Sequence, residues 1–167
     1  FKYSDQTDFS AKKPNTTKFD CEAFIVSKDS IYLFTKQWKS SKTSIYVLPN
    51  QVGNYIAQFK NTINTKGLVT GAVFLENKKA IVLCGYSKTG KPFLYLLYDF
   101  KNGDFLSGNK RRIHLKLLFH QIEGITSKDG LHYFITNESL VRKPILNNPQ
   151  QIHYFDLSPL LGSYLHK

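Results

Sequence analysis

The chain has 167 residues, 41% hydrophobic, and a net charge of +11 from 20 Lys and 3 Arg against 12 acids. No stretch approaches the roughly 18 uncharged apolar residues of a membrane-spanning helix, and no basic-then-apolar leader opens the chain, so neither a transmembrane segment nor an export signal is read. Ile, Val, Thr, Phe, Tyr and Trp number 54 against five Ala, four Glu and no Met, which excludes a helical bundle and predicts an all-β domain.

The chain begins Phe1-Lys2-Tyr3 and lacks methionine, so it is expected to be part of a longer protein, with residues 1–20 ending a preceding unit. Short apolar runs separated by polar turns then read as strands at 22–27, 30–35, 43–48, 55–59, 69–75, 80–86, 92–100, 112–117, 122–126, 131–136 and 151–157. Only 158–165, and secondarily 115–120, have the pattern of a short helix.

These strands repeat. Glu22-Ala23-Phe24-Ile25-Val26-Ser27-Lys28-Asp29 returns as Glu123-Gly124-Ile125-Thr126-Ser127-Lys128-Asp129, and Gly71-Ala72-Val73-Phe74-Leu75 with Ala80-Ile81-Val82-Leu83 fits between them at a constant offset of 49. On this match His132 takes the place of Tyr32, and Cys84 that of Thr35. A period near 50, with a small residue (Ala23, Ala72, Gly124) in each first strand, is the pattern of β-propeller blades, whose innermost strands crowd an axis. The predicted fold is therefore an all-β, partial β-propeller: about three blades of four-stranded antiparallel sheet at 21–66, 67–118 and 119–167, the last of which need not be complete. The competing reading is an all-β protein whose hairpins merely fall at similar spacing.

The order Asp20-Cys21-Glu22-Ala23, Leu33-Phe34-Thr35-Lys36-Gln37-Trp38, Gly67-Leu68-Val69-Thr70-Gly71-Ala72, Gly85-Tyr86, Gln121-Ile122-Glu123-Gly124-Ile125 and Thr136-Asn137-Glu138 resembles successive blades of uncharacterised secreted β-propeller proteins of Bacteroidetes, often joined to a type IX secretion sorting domain. The resemblance covers about residues 1–157. It implies a six-bladed type of propeller and a secreted or cell-surface location, with no established activity.

Hairpin geometry places Glu22, Lys36, Gly85, Tyr86, Glu123 and Glu138 near one face of such a disc. Glu22 and Glu123 are the candidate channel-mouth carboxylates, with Lys36 as counter-ion to Glu22. As a functional pair they are cation ligands, calcium above all, or an acid/base pair; as a structural pair they accept backbone hydrogen bonds and lock neighbouring blades. Gly71 at the matching position already breaks a symmetric metal ring.

Other motifs carry little chemistry. Gly85-Tyr86-Ser87-Lys88-Thr89-Gly90-Lys91-Pro92 misses a phosphate-binding loop, because Pro92 supplies neither the hydroxyl for Mg²⁺ nor a helix start, and reads as a hairpin turn. His114, His120, His132, His153 and His166 lack zinc-site spacing, no GxSxG elbow occurs, and Cys21 and Cys84 are expected to be free, buried thiols. Asn15-Thr16-Thr17 and Asn137-Glu138-Ser139 match the glycosylation pattern. The lysines lie scattered as singles and pairs such as Lys12-Lys13, with one basic triple at Lys110-Arg111-Arg112, so no nucleic-acid partner is expected. Two functions remain: a non-enzymatic propeller module whose partners are its remaining blades and a ligand or protein, with no cofactor, or a phytase-like or lactonase-like propeller hydrolase with a cation at the channel mouth.

Overall fold

The computed structural model describes residues 1–10, 13–117 and 119–165, so Lys12, Leu118 and His166 lie outside the described residues. The protein is all-β, built from curled antiparallel sheets, and divides into two compact units, Phe1–Val69 and Thr70–Lys167.

In the first unit, β1 (Lys2–Tyr3), β2 (Asp20–Ser27), β3 (Ser30–Lys36), β4 (Thr43–Pro49) and β5 (Ile56–Ile63) form one sheet in the order β1-β5-β4-β3-β2. Strands β2 to β5 run as an antiparallel meander, their β-branched and aromatic residues favouring the pleat. A two-residue turn joins β2 to β3, Ser27 opposite Ser30, with Lys28 at φ 38°. Lys2 and Tyr3, in the segment expected to end a preceding unit, join this sheet instead: β1 lies parallel to β5 as a fifth strand. Leu33, Tyr46 and Ala57 are buried on one face with Tyr3, whose ring centroid lies 4.6 Å from that of Tyr46 and 5.1 Å from that of Phe19. Ala23, Ile25, Phe34 and Ile45 are buried as well.

The second unit takes up the chain within β6 (Leu68–Leu75), which continues through β7 (Ala80–Tyr86), β8 (Pro92–Tyr98) and β9 (Asn109–His114) as a four-stranded meander. The turn from β7 to β8 is a hairpin closed by Ser87 N–H to Lys91 O at 2.9 Å, with Gly90 at φ 72°, as expected of the near-miss phosphate loop. A third sheet orders β10 (Ile122–Ser127), β11 (His132–Asn137) and β14 (Gln151–Asp156). Between β11 and β14 lies a separate hairpin, β12 (Leu140–Arg142) and β13 (Leu146–Asn148), and α1 (Ser158–Leu165) follows. The third sheet thus has three strands where four were expected.

Alternate residues of β7 (Ala80, Val82, Cys84) and β8 (Leu94, Leu96) pack against Ile122, Tyr133 and Ile135 of the third sheet, with Leu157 and Leu161 of the α1 region completing the core. In the middle sheet no large apolar residue is exposed, whereas Phe134, Ile152 and Tyr154 stand open on the third sheet and Phe24 and Val26 on β2. The segment 115–120 is not helical in its described residues: Leu115 N–H bonds Pro92 O and Phe119 N–H bonds Gly90 O, extending the sheet edge.

The repeated Ser-Lys-Asp makes two different turns. In the first sheet it closes the two-residue hairpin; in the third, five residues separate Ser127 from Tyr133, Gly130 adopts φ 79°, and the Asp129 carboxylate accepts the backbone N–H groups of Leu131 and His132, each at 2.8 Å. The longer loop shifts the match, so Tyr32, opposite Ile25, corresponds to Phe134, opposite Thr126, and not to His132.

Candidate functional site

Each glutamate singled out in a first strand is the extra residue of a β-bulge. Cys21 pairs with Thr35 and Ala23 with Phe34, leaving Glu22 unmatched; Ile122 pairs with Asn137 and Gly124 with Thr136, leaving Glu123 unmatched. A bulge bends the strand and re-aims one side chain, here at the same point in two hairpins.

In the first hairpin the bulge brings Glu22 to Lys36, whose Nζ donates to Glu22 Oε2 at 2.8 Å. Lys36 is 3% exposed, and the Glu22 side chain keeps 28% of its surface. The ammonium lies 4.4 Å from the centroid of the Trp38 ring, and Trp38 Nε1 donates to Asp20 Oδ2 at 2.8 Å. Asp20 in turn sits opposite Lys36 in the ladder. Burial raises the Glu22 carboxyl above its ordinary range, against the pull of Lys36 and with Asp20 adding to the rise. The cluster is a closed polar network: an ammonium held by a carboxylate and an aromatic face, itself anchored by a second carboxylate. Sequence reasoning found Glu22 and Lys36. It missed Asp20 and Trp38, although the aromatic two residues beyond Lys36 was the available signal.

The third sheet does not repeat this network. Asn137, opposite the start of the bulge, is 4% exposed and fully engaged: its Nδ2 donates to Glu138 O at 2.8 Å and Pro149 O at 3.0 Å, and its Oδ1 meets His153 Nε2 at 2.8 Å. Burial first, then the neighbouring His120, lowers the His153 pKa, which favours a neutral ring donating to Asn137. Glu138 is exposed and follows β11, its N–H bonded to Gln121 O at 3.2 Å. The amide nitrogen of Asn137 is therefore committed inside the protein, and the second glycosylation pattern lies at an inaccessible position.

Glu123 stands beside β6. A Cβ placed on Gly71 would come within 2.8 Å of Cys84 Sγ and 3.2 Å of Glu123 O, and Thr70 Oγ1 donates to Ile122 O. The first strands of the middle and third sheets thus touch through a glycine. Among the described residues, no three His, Cys, Asp or Glu side chains gather as a metal site. Both cysteines are free, Cys84 buried and Cys21 partly so. Burial pushes the Cys84 thiol up to about 12 and raises that of Cys21. Native Cys84 should therefore react with an aromatic disulfide reagent at pH 8 at least about a hundredfold more slowly than in the unfolded chain; equal rates would contradict its burial.

A second titrating cluster closes the third sheet. His132 Nδ1 meets Asp129 Oδ2 at 2.6 Å, and its Nε2 lies 3.7 Å from Asp156 Oδ1, whose carboxylate also holds Ser158 N–H at 2.8 Å at the start of α1. The hydrogen bond to Asp129 raises the His132 pKa, and the bonds to His132 and to the turn hold the Asp129 carboxyl well below its ordinary range. The histidine's contribution to stability is full below its unfolded value of about 6.5 and is lost as pH rises through its higher folded value. An NMR titration should find His132 above the unfolded histidine value of about 6.5, and His132→Gln should remove that part of the pH dependence.

Comparison with protein-family models, curated proteins and solved structures finds no match to this chain.

Proposed function

We propose that the three sheets are successive blades of a six-bladed type of β-propeller, and that the chain is a non-enzymatic module presenting one propeller face to a ligand or protein partner. The observation that carries this reading is the recurrence of one hairpin with one bulge: Glu22 and Glu123 are each the unmatched residue beside a small residue in a first strand. The contact of Gly71 with Glu123 and Gly124 is the crowding that innermost strands need around an axis. Export and a secreted or cell-surface location rest on the resemblance to the Bacteroidetes propeller proteins and belong to the proposal.

The Glu22–Lys36–Trp38–Asp20 network supports a structural role for the channel-mouth residues, because the ammonium already occupies the carboxylate a cation would need. Thermal unfolding with and without millimolar calcium tests this. The binding-module reading expects no shift in Tm and no hydrolysis of phosphate-ester or lactone substrates. A calcium-dependent rise in Tm that disappears in Glu22→Gln would establish the hydrolase-type channel mouth instead.

A further inference from the structure

The middle sheet ends on an edge strand. In the order β6-β7-β8-β9, no strand lies beyond β9 among the described residues. Leu115 N–H donates to Pro92 O at 3.1 Å, and the register runs on from there through Ile113 opposite Leu94 and Arg111 opposite Leu96. In an antiparallel ladder, hydrogen-bonded pairs of this kind alternate with pairs whose backbone groups turn outward. The N–H and C=O groups of Lys110 and His114, both exposed residues, therefore point away from β8.

The first sheet shows what such an edge accepts. Its fourth meander strand, β5, carries β1 along its outer side: Lys2 N–H donates to Tyr55 O and Ser4 N–H to Ala57 O, each at 3.0 Å, while Phe59 N–H donates to Ser4 Oγ at 3.1 Å. A short extended segment is thus enough to extend one of these sheets by a strand. β9 is the last strand of the middle meander, and it has no such cover among the described residues.

Charge selects the segment that would fit. Residues 105–117 hold Lys110, Arg111, Arg112 and Lys116 and no acid, and the register continued past β9 sets Lys116 beside exposed Lys91. Lys110 Nζ donates to Leu106 O at 2.8 Å; Arg111 donates to Leu160 O at 3.1 Å and lies 5.2 Å from the Tyr164 ring centroid. Their printed partners are carbonyls and a ring, and among the described residues no carboxylate pairs with Lys91, Lys110, Arg111 or Lys116. The acids preceding the strand are turned to other work: Asp99 accepts the Asn109 side-chain amide, and Asp104 accepts the backbone N–H of Leu106. Positive charge on an edge repels a like strand and favours an acidic one.

We propose that β9 is a docking edge for an extended acidic peptide, which adds to the middle sheet as a further strand. The backbone ladder supplies the hold, and the lysines and arginine select the sign of the partner. A nucleic acid brings the charge but not the alternating N–H and C=O groups that the edge matches. The proposal needs only the pairing of β8 with β9, and it adds a second surface to the propeller face proposed above.

Fluorescence anisotropy with the whole chain and a labelled eight-residue peptide alternating Glu and Thr tests it. The expected result is saturable binding, with Kd raised at least about tenfold for Lys110→Glu/Lys116→Glu, whose folding is checked by circular dichroism. On the unaltered chain, the same peptide N-methylated throughout keeps its charge, loses its donors and should also bind at least about tenfold more weakly. Amide exchange at Lys110 and His114 should slow when the unmethylated peptide binds. Absence of saturable binding overturns the proposal. So does equal binding of the N-methylated peptide, or tighter binding of a thymidine oligonucleotide of the same charge, since either marks charge alone. Each of these failures leaves the propeller reading standing, because that reading places no ligand on this edge.

Discussion

Replacing Lys36 with Met should lower the free energy of unfolding by about 1–2 kcal/mol, less than the loss on breaking a fully buried pair because the carboxylate left uncompensated keeps part of its contact with solvent. The methionine fills much of the volume beneath Trp38, so the loss is electrostatic: Glu22 keeps its place in the bulge without the ammonium 2.8 Å away. The substitution also steepens the pH dependence. Glu22 already has a raised pKa, so its contribution is full below the unfolded value of about 4.5 and is lost as pH rises through the folded value. Without Lys36 that value moves higher, and more stability is lost between mildly acidic and neutral pH. The pair Glu22→Leu with Lys36→Met should recover at least about half the loss, since an apolar pair of similar volume carries no desolvation cost. Urea unfolding of the two single variants and the double variant measures this, and strictly additive losses would contradict the coupling.

Gly71→Val should cost about 3 kcal/mol or more, because the added Cβ meets the Cys84 sulfur at 2.8 Å and the Glu123 backbone at 3.2 Å. Cys84→Ala removes the nearer obstacle and leaves the farther one. Gly71→Ala/Cys84→Ala should therefore be more stable than Gly71→Ala alone relative to its own Gly71 parent, whereas Gly71→Val/Cys84→Ala should remain impaired by the Glu123 backbone. Calorimetric Tm values for this set separate the two contacts. A fully tolerated Gly71→Val would contradict the close approach of β6 and β10.

The strands were legible because Val, Ile, Phe and Tyr fall in short runs between turn residues, and the helix at Ser158–Leu165 because Leu157, Leu160 and Leu161 bring a helical spacing after a run of strands. Glu22 and Lys36 were legible together because a hairpin brings the ends of its strands to one edge. The bulges were not, since an unmatched residue is defined only by the register of two strands. Strands of two or three residues, such as β1, β12 and β13, carry no alternation to read.

The offset of 49 shows the limit of matching by sequence. It puts Ala80 and Val82 in the places of Ile31 and Leu33, whereas the bulges match Ile31 and Leu33 with Tyr133 and Ile135, the residues packed against Ala80 and Val82. In a stack of like units, equivalent residues lie on the same side of each sheet and do not face each other. On the proposed propeller arrangement the β7 match is one residue out, a slip that turns every side chain to the opposite face. The network of Asn137 and His153 was equally hidden, because its partners lie on strands separated by the β12–β13 hairpin.

The central claim is that three sheets follow one another about a common axis. Lys28, Lys78 and Lys128 are exposed, lie at the turn after each first strand, and fall at equal intervals of the repeat. Spin labels placed pairwise at these positions, in a chain whose own cysteines are replaced, give three distances by pulsed electron resonance. Six-bladed geometry predicts equal 28–78 and 78–128 distances, and a 28–128 distance roughly 1.7 times either, as for alternate corners of a hexagon. A 28–128 distance equal to the sum of the other two, or shorter than either, would contradict the propeller.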